Sequence, residues 1–174
     1  IAAIAREIQG LKTEVIDSRS LSMGLGFVVE QAARWIDERL DFESLVTRTK
    51  GMVDRTKAFY VLKTLETSGG VAESGLLLDL KPIISIDEHG RYFTYRKVRG
   101  RRQSIDELYS IAKELIEAGK TRIAVMHSNA VEEATALLER LKELGKAEEF
   151  HLGQISPVMG VHTGPGLLGI VATD

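Results

Sequence analysis

The 174-residue chain has no cysteine. Disulfides, thiolate metal sites and cysteine nucleophiles are thereby excluded, and a reducing, cytoplasmic compartment is expected. An excess of either charge is also lacking: 23 Lys and Arg stand against 25 Asp and Glu, a net charge of -2. No whole-molecule field would gather nucleic acid or an anionic membrane, so any charge-driven function has to be local. No apolar run approaches the roughly 20 residues of a membrane span. The opening IAAIAREIQG mixes charged with apolar groups instead of forming a signal peptide. Neither stable membrane insertion nor a nucleic-acid partner is expected. Repeats, long linkers and low-complexity stretches are absent too.

A chain of this length can bury roughly 68–70% of the surface its unfolded form exposes, so it needs no covalent staples. It opens without Met, and Ile1, Ile4 and Ile8 at helical spacing before Gly10 read as the end of an amphipathic helix whose start is missing. TEVIDS reads as a strand, FVVEQAARWIDERL as a helix, DFESLVTRTKGMVDRTK as a second helix capped by Asp41, and AFYVLK as a buried strand. TSGGVAESG is a turn-rich connection. Two β-rich runs flanking EHG in KPIISIDEHGRYFTYRKVRG predict a hairpin. SIDELYSIAKELIEAG, with Ser104 as cap and Asp106 and Glu107 in its first turn, is a helix; the strand TRIAVMHS, the helix AVEEATALLERLKELG and the strand EEFHLG follow. This alternation predicts an α/β fold: strand–helix units of parallel type plus a mixed sheet containing a β-hairpin. The expected division is an N-terminal lobe over 1–80 and a C-terminal lobe over 81–174.

Three stretches could carry function. In GVHTGPG, glycines let backbone approach a ligand, while the His162 imidazole and the Thr163 hydroxyl supply donors for an anion such as a carboxylate. The competing account is a tight turn with His162 filling a gap beside it. In DSRSLSMGLG, a polar loop entering a helix presents hydroxyls and backbone N–H groups, with Ser22 and Gly24 at the helix start. Ser22 could equally be a cap and Gly24 a packing device, and the loop matches a dinucleotide fingerprint only loosely. In YRKVRGRR, Arg96, Lys97, Arg99, Arg101 and Arg102 concentrate positive charge that suits an acidic protein surface. Strand alternation puts Lys97 and Arg99 on one face and Arg96 and Val98 on the other. His89, His127 and His151 have no ligand spacing that nominates a metal site. No nucleophile–base–orienter set is present, so no hydrolase, kinase or oxidoreductase activity and no cofactor are expected.

VIDSRSLSMGLG, GLLLDLKPIISIDEHGRYFTYRKVRGRR and GVHTGPGLLGIV occur in the order seen in the DegV family of bacterial fatty-acid-binding proteins, which the chain resembles over most of its length. The resemblance implies a two-lobed α/β protein that encloses one long-chain fatty acid and holds its carboxylate with hydroxyls and a histidine. FakB-type members present that acid to a separate fatty-acid kinase for phospholipid synthesis. Carried over, His162 becomes the carboxylate partner, with Thr163 beside it, and the basic stretch around Arg99 meets the kinase. The family's Thr-Ser and Leu-Ser-Gly-Thr loops have no counterpart here, and GGVAESG is shorter than the family's connection at Gly70–Gly75. Ile155, Val158, Met159 and Leu167 could line the acyl tunnel or belong to the core. The alternative is an interaction or regulatory domain of a fatty-acid kinase system without a lipid of its own.

Overall fold

The computed structural model describes residues 10–62 and 80–174. The helix expected over Ile1–Ile8 and the TSGGVAESG connection, Gly70–Gly75 included, lie outside the described residues. In chain order the elements are α1 (Met23–Asp37), α2 (Phe42–Arg55), β1 (Lys57–Val61), β2 (Leu80–Ile86) and β3 (Tyr92–Arg99). There follow α3 (Arg101–Glu117), β4 (Arg122–His127), α4 (Val131–Lys142), β5 (Glu149–Gln154), α5 (Pro157–Thr163) and β6 (Leu168–Thr173). The strands form one sheet in the order β3-β2-β1-β6-β4-β5. Among the described residues only β4 and β5 pair in parallel, joined through α4; every other neighbour is antiparallel. The fold is therefore the α/β class with a mixed sheet and a β2–β3 hairpin. β1 pairs with β2 and with β6, so sequence on both sides of residue 80 shares the sheet.

Period-2 alternation splits the sheet's side chains between two apolar layers. Phe59, Val61, Ile123, Val125, Leu168 and Ile170 face α3 and α4, meeting Leu108, Ile111, Leu137 and Leu141. Ala58, Tyr60, Leu62, Ala124, Met126 and Val171 face the other way, in a cluster with Phe27 and Val28 of α1 and Met52 and Val53 of α2. Central β4 and β6 are buried along their whole length, which is why RIAVMH and LGIVAT read as near-continuous apolar runs. Among the described residues no helix is long and apolar enough to cross a membrane.

Local chemistry explains the element ends. Asp41 caps α2 as expected, its Oδ1 accepting from the Ser44 N–H at 3.0 Å. Asp87 closes the hairpin by accepting from the N–H groups of His89 and Arg91 at 2.9 and 2.8 Å. The Arg91 N–H bond is the main cause holding its carboxyl below the usual range. Three expectations are corrected. Thr13–Ser18 is not a strand, because a strand exists only through pairing and this segment enters none of the strand pairings among the described residues. α1 starts at Met23, ahead of the FVV run, and Ser22 at its N-cap position, at φ 51°, makes no side-chain cap bond. Ser104 does not cap α3: Gly100, at φ 77°, turns the chain from β3 straight into the helix, and the buried Ser104 hydroxyl donates back to the Gly100 carbonyl at 2.8 Å.

Candidate functional site

His162 and Thr163 end α5, a seven-residue helix with Pro157 in its first turn and Gly164, at φ 69°, as its stop. The helix is tied to the end of β4: the Gly166 N–H donates to the Ser128 carbonyl, and the Ser128 N–H donates to the Leu167 carbonyl at 3.0 Å. His162 is exposed and makes no hydrogen bond or ion pair among the described residues, so it plugs no gap. The Thr163 hydroxyl donates to the Met159 carbonyl at 3.1 Å. Both valines of the same helix are open to solvent, Val158 at 74% and Val161 at 76% exposed. Ile155 and Leu167 are core residues, and Met159 packs against the same cluster. The site is thus an unpaired imidazole on an apolar helix, anchored by backbone bonds to the central sheet.

The helix-start loop stands elsewhere. Gly24 lies under the Ser20 side chain and near Thr56, at the entry to β1, and a Cβ there would come within 1.9 Å of the Ser20 hydroxyl. That end of β1 pairs with the far end of β6, whereas α5 leads into the near end. Ser22 and Gly24 are not brought to His162 and Thr163. Next to this loop lies a polar crevice of about 340 Å³ lined by Ser18, Arg19, Ser20, Asp54, Asp87 and Glu88. Arg19, at φ 47°, pairs with Asp54 and donates to the Glu88 carbonyl.

The basic stretch divides in two. Arg96 pairs with Glu107 and stacks on Tyr95 at 5.2 Å, while Arg101 forks onto Glu133 at 2.5 and 3.1 Å. These two are spent on α3 and α4. Lys97, Arg99 and Arg102 are exposed and form no ion pair among the described residues. A bulge at the β2–β3 register places Tyr95 and Arg96 side by side and leaves Lys97 and Arg99 on the opposite face from Val98.

Sequence reasoning missed the buried Arg122, which starts β4 and donates to Glu149 at 2.7 Å and Glu30 at 2.5 Å while lying 4.6 Å over the Phe27 ring. Arg34 donates to Glu149 at 2.7 Å; this bond first, then Arg122, holds the Glu149 carboxyl down to about 2. Glu30, Glu149 and His151 could approach one metal ion, but the two carboxylates already hold two guanidinium groups. The only signal in the sequence was one arginine opening an otherwise apolar run.

The model of the DegV family of uncharacterised proteins matches residues 1–174. The chain belongs to the DegV family. It is 38% identical over 179 residues to a DegV domain-containing protein of Clostridium acetobutylicum, covering 98% of this chain and 64% of that protein. Among solved structures it is similar to a fatty acid binding DegV family protein of Streptococcus agalactiae, with 26% identity and a TM-score of 0.89, over 99% of this chain and 63% of that one. A fatty acid binding DegV protein of Bacillus subtilis matches at 25% identity and TM-score 0.86, over 99% and 64%. The chain thus spans somewhat less than two thirds of the length of these relatives.

Proposed function

We propose that this DegV chain is part of a carrier for one long-chain fatty acid, with His162 as the partner of the ligand carboxylate. The observation that carries this is the unpaired His162 beside exposed Val158 and Val161 on α5. An imidazole with no structural task, next to uncovered apolar surface, is suited to an amphipathic acid, and the solved relatives from Streptococcus and Bacillus are fatty acid binding proteins. Burial of the acyl chain supplies about 0.8 kcal/mol per methylene, and the carboxylate must be paired once it leaves water. Thr163 joins His162 if its hydroxyl turns from the Met159 carbonyl to the ligand.

The same proposal includes a cytoplasmic setting and delivery of the acid to a fatty-acid kinase that meets the exposed cations Lys97, Arg99 and Arg102. Chemistry belongs to that kinase; this chain binds and presents. Native mass spectrometry of the protein purified from its own cells tests the central claim. A co-purified acyl chain is the expected result, and a bare mass that takes up no added fatty acid overturns it in favour of an interaction domain. Steady ATP turnover by the protein alone, abolished by a point substitution in it, would overturn the non-catalytic assignment.

A further inference from the structure

Tyr60 stands in the middle of the second apolar layer, on β1, and is 5% exposed. Its hydroxyl is fully buried and has no hydrogen-bond partner among the described residues. Such a group is costly relative to a paired one, and phenylalanine in the same berth would avoid the cost. The berth itself is specific. The ring lies over Gly169 of β6, where an added Cβ would approach the ring to 2.6 Å, so the strand keeps a glycine where the phenol sits. Directly across from Tyr60 on β2 is the half-buried Ile84, with Ile86 half-buried beyond it and Tyr92 57% exposed at the sheet's edge. This flank of the layer is thus less completely covered than its centre, while Ala58, Leu62, Leu167 and Val171 keep the surroundings of the ring apolar.

We propose that Tyr60 selects the acyl chain, donating its hydroxyl to a neutral oxygen carried along the chain, such as a hydroxy or oxo group. The inference rests on the fatty-acid reading above. The partner is not the carboxylate, since a charge brought into this layer would face phenol groups and hydrocarbon with no cation to pair with it among the layer's residues. Burial raises the phenol's pKa, so the group remains a donor throughout the physiological range. The position fits as well: α5 leads through Gly164–Leu167 into β6, and Gly169 pairs with Tyr60, which places the phenol beyond the proposed head-group residue and alongside the chain.

The test is a comparison of octadecanoic acid with a mid-chain hydroxyoctadecanoic acid, binding to the wild-type protein and to Tyr60→Phe. Wild type is expected to prefer the hydroxy acid about tenfold, the value of one well-made hydrogen bond, and Tyr60→Phe to lose that preference while holding octadecanoic acid at least as tightly. Ligand-free Tyr60→Phe should unfold at the same or a higher temperature than wild type. If both acids bind but their ratio is the same in the two proteins, the Tyr60 assignment falls while the carrier reading stands. If neither acid binds wild type, the carrier reading falls and this inference with it.

Discussion

Gly169→Ala is a severe test of how the second layer is packed. A Cβ at this position would sit 2.6 Å from Cδ1 and 3.3 Å from Cε1 of Tyr60, and 3.1 Å from the Phe59 carbonyl oxygen. Ordinary carbon contacts lie at about 3.5–4.0 Å, so the ring has to retreat by roughly 1 Å. It has little room, because Tyr60 is buried, and the Phe59 carbonyl belongs to β1, which is hydrogen-bonded on both sides. Overpacking of this kind costs about 1–3 kcal/mol, and a clash with paired backbone belongs at the upper end. For a chain of this size that is roughly 5–10 °C in melting temperature. Denaturant unfolding of wild type, Gly169→Ala, Tyr60→Leu and the double variant gives the coupling directly. The double variant should be less destabilised than the sum of the two singles, since removing the ring removes most of the clash. A cost below 0.5 kcal/mol for Gly169→Ala, or simple additivity, would show that Tyr60 does not occupy this berth, and the chain-selection argument would lose its geometry.

His162→Ala should leave unfolding of the ligand-free protein within about 0.5 kcal/mol of wild type, since the side chain is exposed and pairs with nothing among the described residues. Fatty-acid affinity should fall about 10- to 150-fold, the value of a hydrogen bond to a charged group; unchanged affinity would refute the carboxylate role. Arg99→Glu should weaken association with an acyl-phosphate-forming kinase while sparing fatty-acid binding, and equal loss of both would count against the docking role. Glu149 gives a pH signature. Its folded-state pKa is depressed from an ordinary 4.5 to about 2, so its contribution is fully present above pH 4.5 and is lost as the pH falls through about 2. With Arg34 exposed the contribution is discounted to about 1 kcal/mol, and the stability gap between wild type and Glu149→Gln should close across that window. A gap of constant size down to pH 2 would mean the pair does not set it.

How much of this was legible in the sequence depended on the range of the interaction responsible. Asp41 as a cap, the EHG hairpin and the apolar runs of β1 and β4 follow from neighbours a few residues apart, and all were readable. TEVIDS was not, because its residue types suit a strand but strand formation is decided by a partner that may lie anywhere in the chain. The order of the sheet belongs to the same class: β6, the last strand, lies between β1 and β4, so the His162 helix is carried to the centre of one sheet end by pairings across more than a hundred residues. Charge behaves likewise. Five cations within seven residues read as one patch, yet acidic side chains of α3 and α4 neutralise Arg96 and Arg101, leaving Lys97, Arg99 and Arg102 available. Tyr60 shows the limit most sharply. In AFYVL a tyrosine is an ordinary strand residue, and nothing local distinguishes a satisfied hydroxyl from an unsatisfied one. The distinction appears only when the neighbours are known, and at this position they are a glycine, hydrocarbon and the Tyr92 phenol, none of which accepts from the Tyr60 hydroxyl among the described residues.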